Sequence, residues 1–114
     1  MQYDLEERTK KFSKEIIELL IRLNKNIINE SIIKQLIRSA TSVGANYCEA
    51  NGAASRKDFK NKIYICRKEI QETKYWLELI AKTNKEEIEK LRLLWKEAHE
   101  LTLIFNKIGS SLKN

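Results

Sequence analysis

The sequence of 114 residues has no proline, and its three glycines, Gly44, Gly52 and Gly109, stand far apart. That scarcity excludes collagen-like and low-complexity chains, and it argues against strand-rich folds that need many tight turns. It also excludes a glycine-rich phosphate loop, which needs several glycines close together. Long apolar runs are missing, so no stretch approaches the roughly 20 residues of a membrane span. The opening MQYDLEERTKKF is too charged for a signal peptide. A soluble, cytoplasmic protein without membrane association is expected.

Histidine and cysteine are almost as scarce. His99 is the only histidine, which removes catalytic triads, histidine-rich metal sites and relays between two imidazoles. The residue three before it is Lys96, so the Glu-x-x-His step of di-iron bundles is absent. Cys48 and Cys66 have no second pair of cysteines to complete a zinc motif or a disulfide framework, and reduced thiols are expected. No cofactor, no metal and no enzymatic activity are expected from so few reactive side chains.

What the chain does contain is charge and a repeating apolar stripe. Lysine and arginine number 22 against 16 acidic residues, a net +6 with 33% charged and 42% hydrophobic residues. Leu5, Thr9, Phe12, Ile16, Leu19 and Leu23 recur at alternating steps of four and three, the signature of one helix face. Ile33, Leu36, Ala40, Val43, Tyr47 and Ala50 repeat it, with Asn29 or Ser31 as starting cap and Gly52 suited to a left-handed end. Phe59, Ile63, Cys66, Ile70, Thr73, Leu77 and Ile80 form a third stripe behind Ser55. A fourth runs through Ile88, Leu91, Trp95, Ala98, Thr102, Phe105, Gly109 and Leu112, with Asn84 and Glu87 offering its cap. The spacing predicts helices over about 4–28, 31–51, 56–83 and 85–112 within a single domain 1–114. Short links force neighbouring helices to run oppositely, so the predicted fold is all-α, an antiparallel up-down-up-down four-helix bundle.

The outer faces carry the functional expectations. The third helix has a second apolar set, Ile65, Trp76 and Leu79, flanked by Tyr64 and Tyr75, and surplus aromatic surface of this kind marks an interface. A homo-oligomer is expected. On another flank Arg56, Lys60, Arg67 and Lys74 fall within about 40° of one another, with Lys57 and Lys68 nearby. These six cations are the candidate nucleic-acid contacts, suited to phosphate neutralisation without base readout. The second helix adds a polar row of Arg38, Ser42, Asn46 and Glu49 beside the small residues Ser39, Gly44 and Ala45.

The stretch QLIRSATSVGANYCEANGAASRKDFKNKIYICRKEIQETKYWLEL resembles the four helix bundle proteins of the 23S ribosomal RNA intervening-sequence family. The resemblance rests on Gln35-Leu36, Arg38, Ser42, Gly44 to Tyr47, Glu49-Ala50, Ser55-Arg56, Phe59, Lys68-Glu69, Glu72-Thr73 and Tyr75 to Leu77. Glu100-Leu101 and Ile104-Phe105 look like its closing helix. The resemblance implies a bacterial antiparallel bundle assembling as a ring-like homopentamer, with Arg38, Asn46, Glu49, Glu72 and Trp76 at subunit contacts; these join Ile65, Tyr75 and Leu79 of the surplus apolar surface as candidate interface residues. It also relates the chain to accessory proteins of diversity-generating retroelements, which implies RNA or DNA as partner, or alternatively a scaffold that binds a reverse transcriptase or other protein. Arg92 and His99 loosely resemble the Arg-x4–6-His pair of HEPN ribonucleases, although Leu93 follows the arginine where that class has a polar residue. This is a third reading.

Overall fold

A computed structural model describes residues 4–112. Four helices account for nearly all of them: α1 Leu5–Arg22, α2 Ile27–Asn51, α3 Arg56–Lys82 and α4 Ile88–Ser111, with a 3-10 turn at Lys85–Glu87 leading into the last. Among the described residues there is no strand. The body measures 45 × 26 × 22 Å, so its long dimension is that of its longest helix, Arg56–Lys82, at about 1.5 Å per residue. The fold is all-α with four helices.

Local chemistry explains the helix starts. Asp4, Asn26 and Ser55 each accept a hydrogen bond from the backbone N–H three residues on, at 3.1, 2.8 and 3.0 Å. Those bonds satisfy donors that the first helical turn cannot pair internally. The first link is where the structure departs from the expected boundaries. α1 stops at Arg22 rather than 28, and α2 starts at Ile27 rather than 31. Leu23 is extended, with φ −77° and ψ 148°, and Asn26 takes the capping role expected of Asn29 or Ser31. Gly52 ends α2 at φ −98°, in ordinary right-handed space rather than in the left-handed cap expected of it. Asn84 does not cap either, and α4 begins at 88 because the 3-10 turn intervenes.

Asn29 and Asn84 have another task. Both are buried, and they join the two inter-helix turns at one end of the molecule. The Asn29 amide donates to Asn84 Oδ1 at 3.1 Å and to the Asn24 carbonyl at 2.8 Å, and its own Oδ1 accepts from Asn84 and Thr83, both at 3.0 Å. Asn84 also donates to the Ile80 carbonyl at 2.8 Å. Two buried amides therefore satisfy each other, which removes the desolvation cost either would carry alone.

The apolar stripes meet as the periodicity predicts. Phe12, Ile16, Leu19, Leu36, Ala40, Val43, Ile63, Ile70, Leu77, Ala98 and Phe105 are shielded from solvent, and Leu94 and Leu101 add a second inward row on α4. α2 and α3 pair along their length, α3 packs on α4, and α1 lies on α2 and touches α4 more lightly. Gly44 sits where α2 packs closely against α1: a Cβ there would stand 3.2 Å from Thr9 Oγ1. No helix among the described residues is long and apolar enough to cross a membrane.

Candidate nucleic-acid interface

The six candidate phosphate contacts all lie on α3 and divide into two groups. Arg56, Lys57 and Lys68 are exposed, whereas Lys60, Arg67 and Lys74 are half-buried. Arg67 leans toward α4: its Nε donates to Asn106 Oδ1 at 3.0 Å, and its side chain covers Gly109. Lys74 does the same further along the helix, its ammonium 3.0 Å from His99 Nδ1 and 4.9 Å from the Trp95 ring centre. Lys60 and Arg67 both stand over the Tyr64 ring, at 5.8 and 5.5 Å. None of the six is ion-paired among the described residues, whereas Arg8, Arg22, Arg38 and Lys62 are. Unpaired cations keep their full field for an external anion.

The candidate interface residues lie on α3 away from the row of Arg56, Lys60, Arg67 and Lys74, and on the facing side of α2; Lys68 falls among them, near enough to Glu72 to act on its charge. Arg38 donates to Glu69 at 3.2 Å and also to Glu72, which in turn accepts from the Trp76 indole at 3.2 Å. The indole bond, followed by the Arg38 guanidinium, holds the Glu72 carboxyl below the usual carboxylate range. The Glu72 hydrogen bond in turn raises the Arg38 pKa. Glu49 accepts from Lys62 at 2.6 Å, and Asn46 donates back to Ser42 at 2.9 Å. So Arg38, Glu72 and Trp76 form one network within the chain, while Glu49 and Asn46 are separate from it. Ile65 and Trp76 are half-buried, and Tyr75 and Leu79 are 54% and 37% exposed.

Arg92 and His99 have different surroundings. Arg92 is exposed and faces Glu89 at 3.8 Å. His99 is half-buried, its ring parallel to the Trp95 indole with centroids 5.3 Å apart. A cleft of about 480 Å³ lies between α1 and α4, lined by Glu7, Arg8, Lys11, Phe12, Glu15 and Glu97. Its arginine is already engaged by Glu97 and Glu100, at 2.7 and 2.8 Å, and the Glu97 hydrogen bond raises the Arg8 pKa well above its ordinary value. Among the described residues no group of three histidine, cysteine or acidic side chains could hold a metal ion.

The family model of the 23S rRNA-intervening sequence protein matches residues 1–107. The chain belongs to that family. Its fold is also that of a crystal structure from Bacteroides thetaiotaomicron, described as a protein with unknown function from the S23 ribosomal protein family. The similarity covers 91% of this chain and 96% of that one, with a TM-score of 0.80 and 32% identity. Comparison with the curated proteins gave no match.

In this member of the 23S rRNA-intervening sequence family, three groups of polar contacts lay beyond sequence reasoning. The Asn29–Asn84 pair spans 55 positions, Lys74–His99 spans 25 and Arg38–Glu69 spans 31. Helix periodicity places each residue on a face, but the partner depends on which helices become neighbours and in what register. Glu69 had a local signal, because it falls beside the apolar stripe at Ile70 and Thr73, and it is buried at 6% exposure.

Proposed function

We propose that this protein is a non-enzymatic, oligomeric bundle that binds RNA or DNA weakly and without sequence specificity through Arg56, Lys57, Lys60, Arg67, Lys68 and Lys74. The observation that carries the reading is that these six cations on α3 have no acidic partner within the chain among the described residues. Segment 55–84 holds eight basic and four acidic residues, so most of the chain's net charge belongs to this region. Such a surface binds by neutralising phosphates and releasing counterions, with no base contact, metal or cofactor required.

The supporting architecture is an antiparallel up-down-up-down bundle. The hydrogen-bonded pairings favour it: Asn29 with Asn84, Ser39 with Thr73, the Val43 carbonyl with the Cys66 thiol and Glu49 with Lys62 have numbers that fall along the α3 side as they rise along α2. Copies of the bundle assemble as a ring, a homopentamer, in the bacterial cytoplasm, with the polar α2–α3 face and Ile65, Tyr75, Trp76 and Leu79 between subunits. Repetition around a ring multiplies the basic face, which makes a modest charge per chain effective toward a polyanion. A second reading is favoured by the exposure of Tyr75 and Leu79: a scaffold that engages another protein, such as a reverse transcriptase, through that apolar surface. A ribonuclease role for Arg92 and His99 has less support, since the guanidinium faces Glu89 and the imidazole is held by Lys74 and Trp95.

The test is titration of the purified protein against structured RNA and duplex DNA at two salt concentrations, with its mass measured by light scattering in the same buffers. Binding that weakens steeply with salt, by a particle of several subunits, is the expected result. Absence of binding at low salt by that particle refutes the nucleic-acid reading and favours the scaffold.

A further inference from the structure

The seam between α3 and α4 brings together groups that the basic-face reading alone does not use. Lys60, Tyr64, Arg67 and Lys74 recur at steps of four, three and seven, so they form one row along α3. The facing row on α4 is Trp95, His99 and Asn106. Three contacts stitch the rows together: Arg67 to Asn106 at 3.0 Å, Lys74 to His99 at 3.0 Å, and Trp95 Nε1 to Glu78 at 2.9 Å. Two aromatic centres result, each attended by cations. Tyr64 has Lys60 and Arg67 at 5.8 and 5.5 Å from its ring. The parallel Trp95–His99 pair has Lys74 at 4.9 Å from the indole centre. Tyr64 and His99 are both half-buried, so each ring is anchored by its neighbours yet reaches the surface. Residues 64 and 74 are about 15 Å apart along the helix axis, a distance that a strand of a few nucleotides spans.

We infer that this seam is a binding site for single-stranded nucleic acid, in which Tyr64 and His99 stack on unpaired bases while Lys60, Arg67 and Lys74 hold the flanking phosphates. The inference rests on the proposed nucleic-acid reading and names its substrate class. Cations interleaved with aromatic rings are what single strands require, because unpaired bases offer faces to stack and the backbone runs alongside. A duplex buries those base faces within its own stack, so it engages the cations alone. Lys74 positions the second ring: its ammonium donates to Nδ1 and so fixes the imidazole against the Trp95 indole. Glu78 sits at the far end of the row and accepts from Trp95, while Glu69 and Glu72 turn to Arg38 on α2, so Lys60, Arg67 and Lys74 have no salt bridge among the described residues.

The experiment is fluorescence anisotropy of the full-length protein with labelled single-stranded RNA, single-stranded DNA and a duplex of the same sequence, all at one low salt concentration. The single strands bind more tightly than the duplex, and the RNA and DNA arms show which of them is preferred. Tyr64→Ala and His99→Ala each weaken single-strand binding by roughly 5- to 150-fold, the range of one base–aromatic stack, and leave duplex binding unchanged. Tyr64→Phe and His99→Phe keep a stacking face and retain single-strand affinity, which separates stacking from a structural role. Equal affinity for strand and duplex, with all four variants silent, overturns the single-strand site and leaves the phosphate-binding reading intact. Failure to bind either form overturns both.

Discussion

At the scale of single residues, the buried amide pair controls how the two turns at one end of the molecule sit together. Replacing Asn29 with leucine strips Asn84 Oδ1 of the donor at 3.1 Å and leaves Thr83 without its acceptor. A buried carbonyl oxygen without a donor costs about 1–3 kcal/mol, so Asn29→Leu lowers the urea midpoint accordingly. The double change Asn29→Leu with Asn84→Leu costs less than the sum of the two single changes, because no orphaned amide remains. A midpoint unmoved by Asn29→Leu refutes the clasp. The cysteines make a second residue-scale contrast. Cys66 is wholly buried, and burial pushes its thiol up to about 12, while Cys48 is exposed. The thiolate is the reactive form, so at pH 8 a disulfide reagent titrates one thiol per native chain, and the second only after denaturation. Rapid reaction of both in the native protein contradicts that packing.

At the scale of elements, α3 is the helix on which the rest depends, since it packs on both α2 and α4 and carries the candidate nucleic-acid face. Ile70 lies at its middle with no exposed surface. Proline there removes an internal hydrogen bond and collides with the preceding turn, a cost of about 3 kcal/mol or more. Ile70→Pro therefore loses helical circular dichroism or unfolds at much lower urea, and unchanged stability counts against a continuous α3. The α2–α3 network adds a pH dependence. The folded Glu72 carboxyl lies below its ordinary value of 4.5, held first by Trp76 and then by Arg38. Glu87 is shifted the same way by its hydrogen bond from Arg22. A carboxyl depressed on folding stabilises above its unfolded value, and that contribution is lost as the pH falls through the folded one. The urea midpoint thus declines below pH 4.5, and Glu72→Gln makes the decline shallower. Parallel pH profiles for variant and wild type refute the network's contribution.

For the whole molecule, the decisive quantity is how much unpaired positive charge one particle presents. Lys57 and Lys68 are exposed on α3, away from the contacts that engage Arg67 and Lys74. The double reversal Lys57→Glu with Lys68→Glu reduces the slope of log affinity against log salt, by about 0.7–0.9 for each phosphate no longer neutralised. A slope identical to that of the wild type removes these lysines from the interface. The helix class and the inward stripes were legible from spacing alone, because a period near 3.6 places each apolar residue whatever its neighbours do. Ser55 as the α3 cap was legible for the same local reason. The first turn was not: the spacing of Leu19 and Leu23 continues to Ile27, and stopping at Arg22 depends on Asn26 capping α2 while Asn29 turns inward to Asn84. The cationic row on α3 could be read from sequence, but its division into free and engaged members could not. Periodicity and composition are properties of the chain before it folds, and they suffice for four amphipathic helices and a basic third one. The meeting of Lys74 with His99, the cover that Arg67 gives Gly109 and the bridge from Arg38 to Glu69 and Glu72 belong to the folded molecule. Such contacts exist only once helix neighbours and their register are set.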